Sequence, residues 1–310
     1  PWGNQQAERD IRGVWRSALS HHLLPDFSFV YCFFRPRFIF MEIRSIFVIR
    51  EGKNSAVVEG KKVHFYSVGH GKPIIFIHAW GISWRKSERK IGRFLGSEFN
   101  SIFLSLPGTK GSDELEVEHT MENYADFVYK FSRALKLGKV YVVGFSMGTI
   151  IAINFAKKYP LSVRKIALLG TPFRIKAKNL LKLRKHLGEK GLLNSWIVRN
   201  PASKFFIRAI MTLYGFKWKY SKITVDGLFS SSPRSLKESM ESILKTDVEK
   251  LFREINAQTL FFHGEKDMFV EPPNPNQKNI IFLPDSGHDM VSKQPDYIAE
   301  KLIEFFGSKK

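Results

Sequence analysis

The chain has 310 residues, 44% of them hydrophobic, which is enough to bury one large core with or without a smaller lid. Its single cysteine, Cys32, excludes an intramolecular disulfide and any metal cluster built from several cysteines, and it fits a reducing, cytoplasmic setting. The formal net charge of +20 favours acidic partners or anionic lipid surfaces. Because no nucleic-acid recognition motif accompanies this charge, we expect no nucleic-acid binding.

Residues 1–40 show neither helical nor strand periodicity, so we predict a poorly ordered extension, with folded sequence beginning near Met41. The alternative is a membrane-surface anchor, because aromatic residues there alternate with arginines. Charged residues between positions 9 and 16 argue against a secretory signal. The longest clean apolar run, Phe27–Phe34, is far shorter than the roughly 20 residues that a membrane span needs, so we predict no transmembrane helix.

A regular pattern begins at Val57. Val57–Val58 and Val63–Val68 indicate an antiparallel pair, and Pro73–His78 indicates a short buried strand. Apolar strands and helical patterns then recur along the chain: Ser101–Leu104, Met121–Leu135, Val140–Val143, Met147–Tyr159, Lys165–Leu169, Thr259–His263, Asn279–Leu283 and Pro295–Phe306. This alternation predicts an α/β fold, a mostly parallel sheet flanked by helices on both faces.

The alternation stops between Thr171 and Ala257, where apolar residues fall at helical spacing. We therefore predict a helical cap over 172–257, inserted into an α/β core formed by 41–171 and 258–310. The stretch Pro172–Lys250 holds 17 Lys and Arg against 6 Asp and Glu, more than half of the net charge. This excess predicts either a surface for an acidic partner or simply solvated helices.

The strongest local signal is the run Val140–Val143 followed directly by Gly144–Phe145–Ser146–Met147–Gly148. Gly-x-Ser-x-Gly between a strand and a helix is typical of a nucleophile elbow, where a serine sits on a tight, strained turn. The same five residues by themselves also fit a plain glycine-flanked turn. The strand before them and the helix after them favour the elbow and predict Ser146 as a nucleophile.

A serine hydroxyl needs a base, and the base needs a carboxylate to orient it. His288 follows the last predicted strand, and Asp267 follows the strand before it, so the chain order is Ser146, Asp267, His288. We predict these three as a catalytic triad. Other residues of the right type leave alternatives open: His78 and His263 for the base, and Glu265 and Asp289 for the acid.

Acyl transfer also needs hydrogen-bond donors aimed at the oxygen that becomes negative. The backbone N–H of Met147, directly after the nucleophile, is one candidate. The backbone N–H of Trp80, in the loop after the strand Ile74–Ile77, is the other. We assign the neighbouring His78 and Phe145 to the substrate pocket.

These motifs resemble those of the α/β-hydrolase superfamily, and the resemblance spans Val57 to Phe306. His78–Ala79–Trp80–Gly81 is similar to the family's His-Gly-x-x loop, with alanine replacing a glycine. Leu106–Ser112 is similar to its Asp-x-Pro-Gly loop, with Ser105 replacing the aspartate, which weakens the subfamily assignment. The resemblance implies an α/β-hydrolase fold and esterase, lipase or thioesterase-type hydrolysis, without metal or organic cofactor.

The resemblance implies a small-molecule ester substrate, either lipid-like or carried as an acyl group on a carrier protein. Bacterial acyl-carrier-protein methyl ester esterases are similar in their His-Gly-Trp-Gly loop and helical cap, and their partner is acidic. Two alternatives stay open. The chain could be a non-catalytic scaffold that binds an acidic partner or anionic lipid through its basic cap. The aromatic and basic segment Phe216–Tyr220 could instead dock a lipase onto a membrane surface.

Overall fold

The computed structural model describes residues 49–84, 89–96, 98–176, 200, 203–213, 225–274 and 277–308. Its strands are β1 Gly52–Val58, β2 Lys61–Val68, β3 Lys72–Ile77, β4 Phe99–Leu104, β5 Val140–Phe145, β6 Val163–Leu169, β7 Gln258–Gly264 and β8 Ile280–Leu283. Its helices are α1 Lys90–Phe94, α2 Met121–Ala134, α3 Met147–Lys158, α4 Ser203–Leu213, α5 Pro233–Lys245, α6 Val248–Arg253, α7 Met290–Lys293 and α8 Pro295–Gly307. The predicted extension 1–40 and the segment 216–220 lie outside the described residues.

The strands form one sheet of eight in the order β1-β2-β4-β3-β5-β6-β7-β8. β2 pairs antiparallel with β1 and β4, and the pairs from β4 through to β8 are parallel. The predicted mostly parallel sheet is confirmed. Because parallel strands end at the same edge, the segments that follow β3, β5, β6, β7 and β8 leave the sheet together, and the candidate site lies at this edge.

The hairpin between β1 and β2 closes through two residues with positive φ, Glu59 at 48° and Gly60 at 77°. Positive φ at both central positions is the geometry of a type I′ turn, which matches the twist of paired strands. Val58 faces Lys61 across this turn. The strand begins earlier than the predicted Val57, because Gly52–Ala56 are held by pairing with β2 rather than by an apolar pattern.

Helices cover both faces of the sheet, as the strand and helix alternation predicts. One core cluster joins α2 and α3 to one face and contains Ile75 and Ile77 of β3. The other cluster contains Ile74 and Phe76 and joins α1 and α8 to the opposite face. Alternate residues of one strand therefore enter different cores, which explains why this strand is apolar throughout. α3 is buried along residues 147–156, as expected of a helix at the centre of the domain.

Helices α4, α5 and α6 lie between β6 and β7, inside the predicted cap 172–257, much of which is not described. α5 contacts the loop after β4: the N–H of Ser232 and the hydroxyl of Ser235 both donate to the Gly108 carbonyl, at 2.8 and 3.2 Å. The guanidinium of Arg234 donates to the carbonyls of Leu115 and Val117, each at 3.1 Å. The division into core and cap stays a prediction.

A search of the described residues for a helix long and apolar enough to cross a bilayer finds none.

Candidate active site

Ser146 lies at a sharp turn between β5 and α3, with φ 51° and ψ −115°. A non-glycine residue at positive φ is strained and persists only where its surroundings enforce it. The enforcement comes from close backbone packing on both sides. A Cβ on Gly144 would lie 2.4 Å from the Gly148 carbonyl oxygen, and one on Gly148 would lie 2.2 Å from the Ile77 carbonyl oxygen. Both glycines of the motif are therefore required for the turn to close.

The two predicted oxyanion donors belong to adjacent segments. Met147 is the first residue of α3, so its N–H has no carbonyl one turn earlier to bond and carries the positive end of the helix dipole. Trp80 follows β3, which pairs directly with β5 so that Ile77 faces Gly144. The Trp80 indole N–H donates to the Leu236 carbonyl of α5 at 3.0 Å, which fixes this loop against the helix.

Asp267 occupies a tight turn after β7 and is 2% exposed. Its Oδ1 accepts the backbone N–H groups of Phe269 and Val270, at 2.8 and 3.2 Å. Its Oδ2 faces the imidazole of His288. Burial by itself would raise the pKa of Asp267, but the His288 hydrogen bond, the charge interaction with His288 and the two backbone N–H groups together hold that pKa below its ordinary value. The side chain is therefore a carboxylate at neutral pH.

His288 is joined to this carboxylate by a hydrogen bond of 2.7 Å from its Nδ1. Because Nδ1 carries the proton that is donated to the carboxylate, Nε2 of the neutral ring is unprotonated and can accept a proton. This is the tautomer that a general base needs. The rings of Phe145 and Phe269 flank the imidazole, each with a centroid separation of 5.3 Å. Phe145 directly precedes Ser146, so the candidate base packs against the residue next to the candidate nucleophile, at the same edge of the sheet.

Gly170 makes room for this imidazole. It has a φ of 62°, and a Cβ there would approach His288 Cε1 to 3.2 Å. The same residue follows β6, whose last carbonyl, that of Leu169, accepts the Ser146 N–H at 2.9 Å. The end of β6 thus contacts both the elbow and the imidazole, and it links their positions.

The alternative bases have other surroundings. His78 is 1% exposed; its Nδ1–H donates to the Ala79 carbonyl at 2.8 Å, and its Nε2 accepts the Leu106 N–H at 3.1 Å. Burial lowers the pKa of His78 to about 4, so the ring is neutral and links two loops. This geometry favours a structural role over the pocket-lining role predicted for it. His263 is also buried in β7, and burial lowers its pKa as well.

The alternative acids do not contact the imidazole through any hydrogen bond of the described residues. Glu265 is exposed, and Asp289 pairs with Lys293 at 3.6 Å. Asp267 is the carboxylate that the structure brings to His288. Ser105 stands at the position where the resembling family has aspartate. Its hydroxyl lies 3.3 Å from the Ser83 hydroxyl, and its main-chain carbonyl accepts the Ser112 hydroxyl at 3.0 Å, so serines fix this loop.

One residue near the site was not identified from the sequence. The Lys176 ammonium donates to the main-chain carbonyl of Asp267 at 2.5 Å. The two residues are 91 positions apart, and nothing in the local pattern around Lys176 predicts the contact. Among the described residues, no three His, Cys, Asp or Glu side chains are grouped as metal ligands would be.

Comparison with known proteins adds four findings. A family model described as the alpha/beta hydrolase fold matches residues 72–288. The 2-hydroxy-6-oxo-6-phenylhexa-2,4-dienoate hydrolase of Burkholderia cepacia is 27% identical over 241 residues, covering 73% of this chain and 81% of that protein. Lipase 1 of Psychrobacter immobilis is 24% identical over 273 residues, covering 82% and 84%. The structure of a thermophilic esterase from Thermogutta terrifontis is similar with a TM-score of 0.64 at 20% identity, covering 82% of this chain and 98% of that one.

Proposed function

Because the chain belongs to the α/β-hydrolase fold family, we propose that it is a serine hydrolase that cleaves a carboxylic ester or thioester through an acyl-enzyme. The observation that carries the proposal is the hydrogen bond of 2.7 Å between Asp267 and His288, at the sheet edge where the strained Ser146 lies. A buried carboxylate that orients an imidazole beside an elbow serine is the arrangement that activates a hydroxyl for acyl transfer.

In the proposed reaction, Ser146 Oγ attacks the substrate carbonyl while His288 Nε2 accepts the hydroxyl proton. The backbone N–H groups of Met147 and Trp80 stabilise the negative oxygen of the tetrahedral intermediate. Its collapse breaks the bond to the alcohol or thiol, which takes the proton from the imidazolium. Water then repeats the sequence on the acyl-enzyme, with His288 again the base, and releases the acid. Asp267 keeps the ring oriented and stabilises its charged form.

A second candidate reaction comes from the Burkholderia cepacia relative. The substrate in that protein's name, a 2-hydroxy-6-oxo-dienoate, has a ketone and no ester, so its hydrolysis breaks a carbon–carbon bond. The same serine, imidazole and carboxylate could act on such a ketone in this chain. Psychrobacter lipase and the Thermogutta esterase favour the ester. Both substrate classes therefore belong in the test.

The test compares the parent protein with Ser146→Ala and with Ser55→Ala, which removes an exposed hydroxyl on the outer strand β1. A fluorophosphonate probe should label the parent and Ser55→Ala but not Ser146→Ala. Turnover of p-nitrophenyl esters of increasing chain length, an acyl thioester and a 2-hydroxy-6-oxo-dienoate should fall by about 10⁴-fold or more in Ser146→Ala alone.

Labelling of Ser146→Ala would refute the assignment of the nucleophile. A parent that is neither labelled nor active, yet binds anionic vesicles in a salt-sensitive way, would instead support the non-catalytic alternative. Turnover of the dienoate with no ester or thioester cleaved would replace the first reaction with the second.

A further inference from the structure

The turn that carries Asp267 is attached to a short segment at the start of the region between β6 and β7. Ile175 forms an antiparallel bridge with Val270, the Lys176 N–H donates to the Phe269 carbonyl at 2.9 Å, and the Glu271 N–H donates to the Arg174 carbonyl at 2.9 Å. Residues 174–176 therefore act as a short strand that holds residues 269–271 in place. Within the turn itself, the Asp267 N–H donates to the Gly264 carbonyl at 2.9 Å, which leaves the Asp267 carbonyl to be bound by a side chain.

The Lys176 side chain supplies that contact. Its ammonium donates to the Asp267 main-chain carbonyl at 2.5 Å, whereas the side-chain Oδ2 of the same residue faces His288. Asp267 is thus held at five points: its own N–H on the Gly264 carbonyl, two backbone N–H groups on Oδ1, the imidazole on Oδ2 and the ammonium on its carbonyl. A charged donor to a carbonyl is among the stronger hydrogen bonds in proteins.

From these contacts we propose that Lys176 is a positioning residue: its ammonium fixes the turn that carries Asp267 and keeps a positive charge beside the Asp267–His288 pair. The inference rests on the proposed function, because it assigns Lys176 a role in the reaction of that pair. Its ammonium bonds the Asp267 main chain rather than a reacting atom, so its action passes through the carboxylate and the imidazole.

The direction in which the Lys176 charge acts on the imidazole follows from its sign. His288 must be neutral to accept the Ser146 proton, and a nearby cation disfavours the protonated ring. Among the described residues, the charged and titratable groups on the segments that carry or contact the imidazole are Asp267 and Glu265 on its turn, Lys266 with its partner Asp285, His263 on β7, Asp289 with its partner Lys293, and Lys176 on the Asp267 carbonyl. Asp267 favours the imidazolium, and Lys176 opposes it. At His263, burial lowers the pKa most, the Asp267 charge raises that pKa, and the Lys176 charge lowers it, so the charge of Lys176 acts on a group beside this pair.

Removing the charge should therefore move the acidic limb of the kcat/KM profile to higher pH. For a partly screened unit charge near this pair, we expect a displacement of about 0.5 pH unit in Lys176→Met. Lys176→Arg keeps the charge and should stay within about 0.2 pH unit of the parent. Arg174→Met is the matched control, because it removes a cation two residues away whose side chain is exposed and pairs with Glu249.

The experiment measures kcat/KM against pH for the parent and these three variants, using the p-nitrophenyl ester that the parent hydrolyses fastest. Thermal unfolding shows that each protein is folded. A shift of the acidic limb that is seen in Lys176→Met but not in Lys176→Arg or Arg174→Met supports the proposal. A loss of activity that is equal at every pH would show that Lys176 only supports the turn, and it would overturn the proposed role of its charge. An unchanged profile would overturn it as well.

A second measurement separates this inference from the proposed function. The titration of the His288 ring signal can be followed by NMR without any substrate, with His288→Gln for assignment. If the parent shows no serine labelling but the ring titrates at higher pH in Lys176→Met, the proposed function fails and the effect of the charge stands. If serine chemistry is intact and the ring titrates identically in both proteins, the inference about Lys176 fails by itself.

Discussion

Replacing Asp267 with asparagine tests the tautomer argument with little change in shape. Oδ1 of Asp267 accepts two backbone N–H groups, so the oxygen of the introduced amide must take that position, since an NH₂ group there would face two donors. The NH₂ group is then left facing His288 Nδ1, where the carboxylate now accepts a proton at 2.7 Å. The imidazole can satisfy this donor only by accepting at Nδ1, which places its proton on Nε2.

A ring protonated at Nε2 cannot take the proton of Ser146. In well-characterised Ser-His-Asp enzymes the corresponding change lowers kcat by about 10⁴-fold, and we expect a similar loss in Asp267→Asn. This corresponds to about 5 kcal/mol of transition-state stabilisation. The buried site and its two fixed donors leave the amide no second orientation that keeps every group bonded.

The assay compares initial ester hydrolysis and the rate of fluorophosphonate labelling in the parent, Asp267→Asn and Asp285→Asn. Asp285 is the matched control, because it is an exposed aspartate whose carboxylate pairs with Lys266 at 2.5 Å. Asp285→Asn should match the parent. If Asp267→Asn is folded and keeps more than about a tenth of the parent kcat, the orientation argument is refuted.

Three further predictions concern the fold around the site. Gly148→Ala puts a Cβ 2.2 Å from the Ile77 carbonyl oxygen, so in a denaturant titration it should lower the free energy of unfolding by about 3 kcal/mol or prevent folding. Gly307→Ala is the control, because its Cβ meets no atom within 4 Å, and its free energy of unfolding should match the parent's. Arg234→Met removes the half-exposed guanidinium that binds the Leu115 and Val117 carbonyls, and urea unfolding should show a loss of about 1 kcal/mol, with unchanged stability counting against the contact. The pKa of buried His78 is about 4 in the folded protein and 6.5 for an unperturbed histidine, so between these pH values the unfolded chain binds a proton that the folded protein does not. The contribution of His78 to the free energy of unfolding should therefore be fully present above pH 6.5 and fall by about 3 kcal/mol as the pH drops to 4. Calorimetry that shows no change in stability over this range would contradict the prediction.

Local backbone chemistry explains why the elbow could be predicted from the sequence. The spacing of Gly144, Ser146 and Gly148 reflects contacts made within a few residues and with one neighbouring strand, and those contacts leave no space for a Cβ. The order of strands and helices likewise follows from apolar periodicity, which reports burial on the two faces of the sheet. The pairing of Asp267 with His288 was predictable because each follows a parallel strand, and such strands end together.

Contacts between distant segments could not be predicted in this way. Lys176 bonds a residue 91 positions away, and Arg234 binds a carbonyl 119 positions away, and neither lies in a pattern that marks its partner. β1 extends to Gly52 because backbone pairing with β2 holds polar residues in the strand, where hydropathy gives no signal. The surroundings of His78 depend on burial and two hydrogen bonds, which no count of histidines reveals.

The positions of β5 and β8 in the sheet determine which of the two strands unfolds first on heating. β5 lies between β3 and β6 and is buried along its whole length, while β8 is a four-residue strand at the margin with Phe282 exposed. Local opening begins where few neighbours hold the backbone, so β8 should fray before β5. The candidate nucleophile follows the fully buried central strand β5, and the loop of its imidazole partner follows the marginal strand β8. Mild heating should therefore abolish the proposed activity while most backbone amide protons of the central strands remain protected from hydrogen exchange.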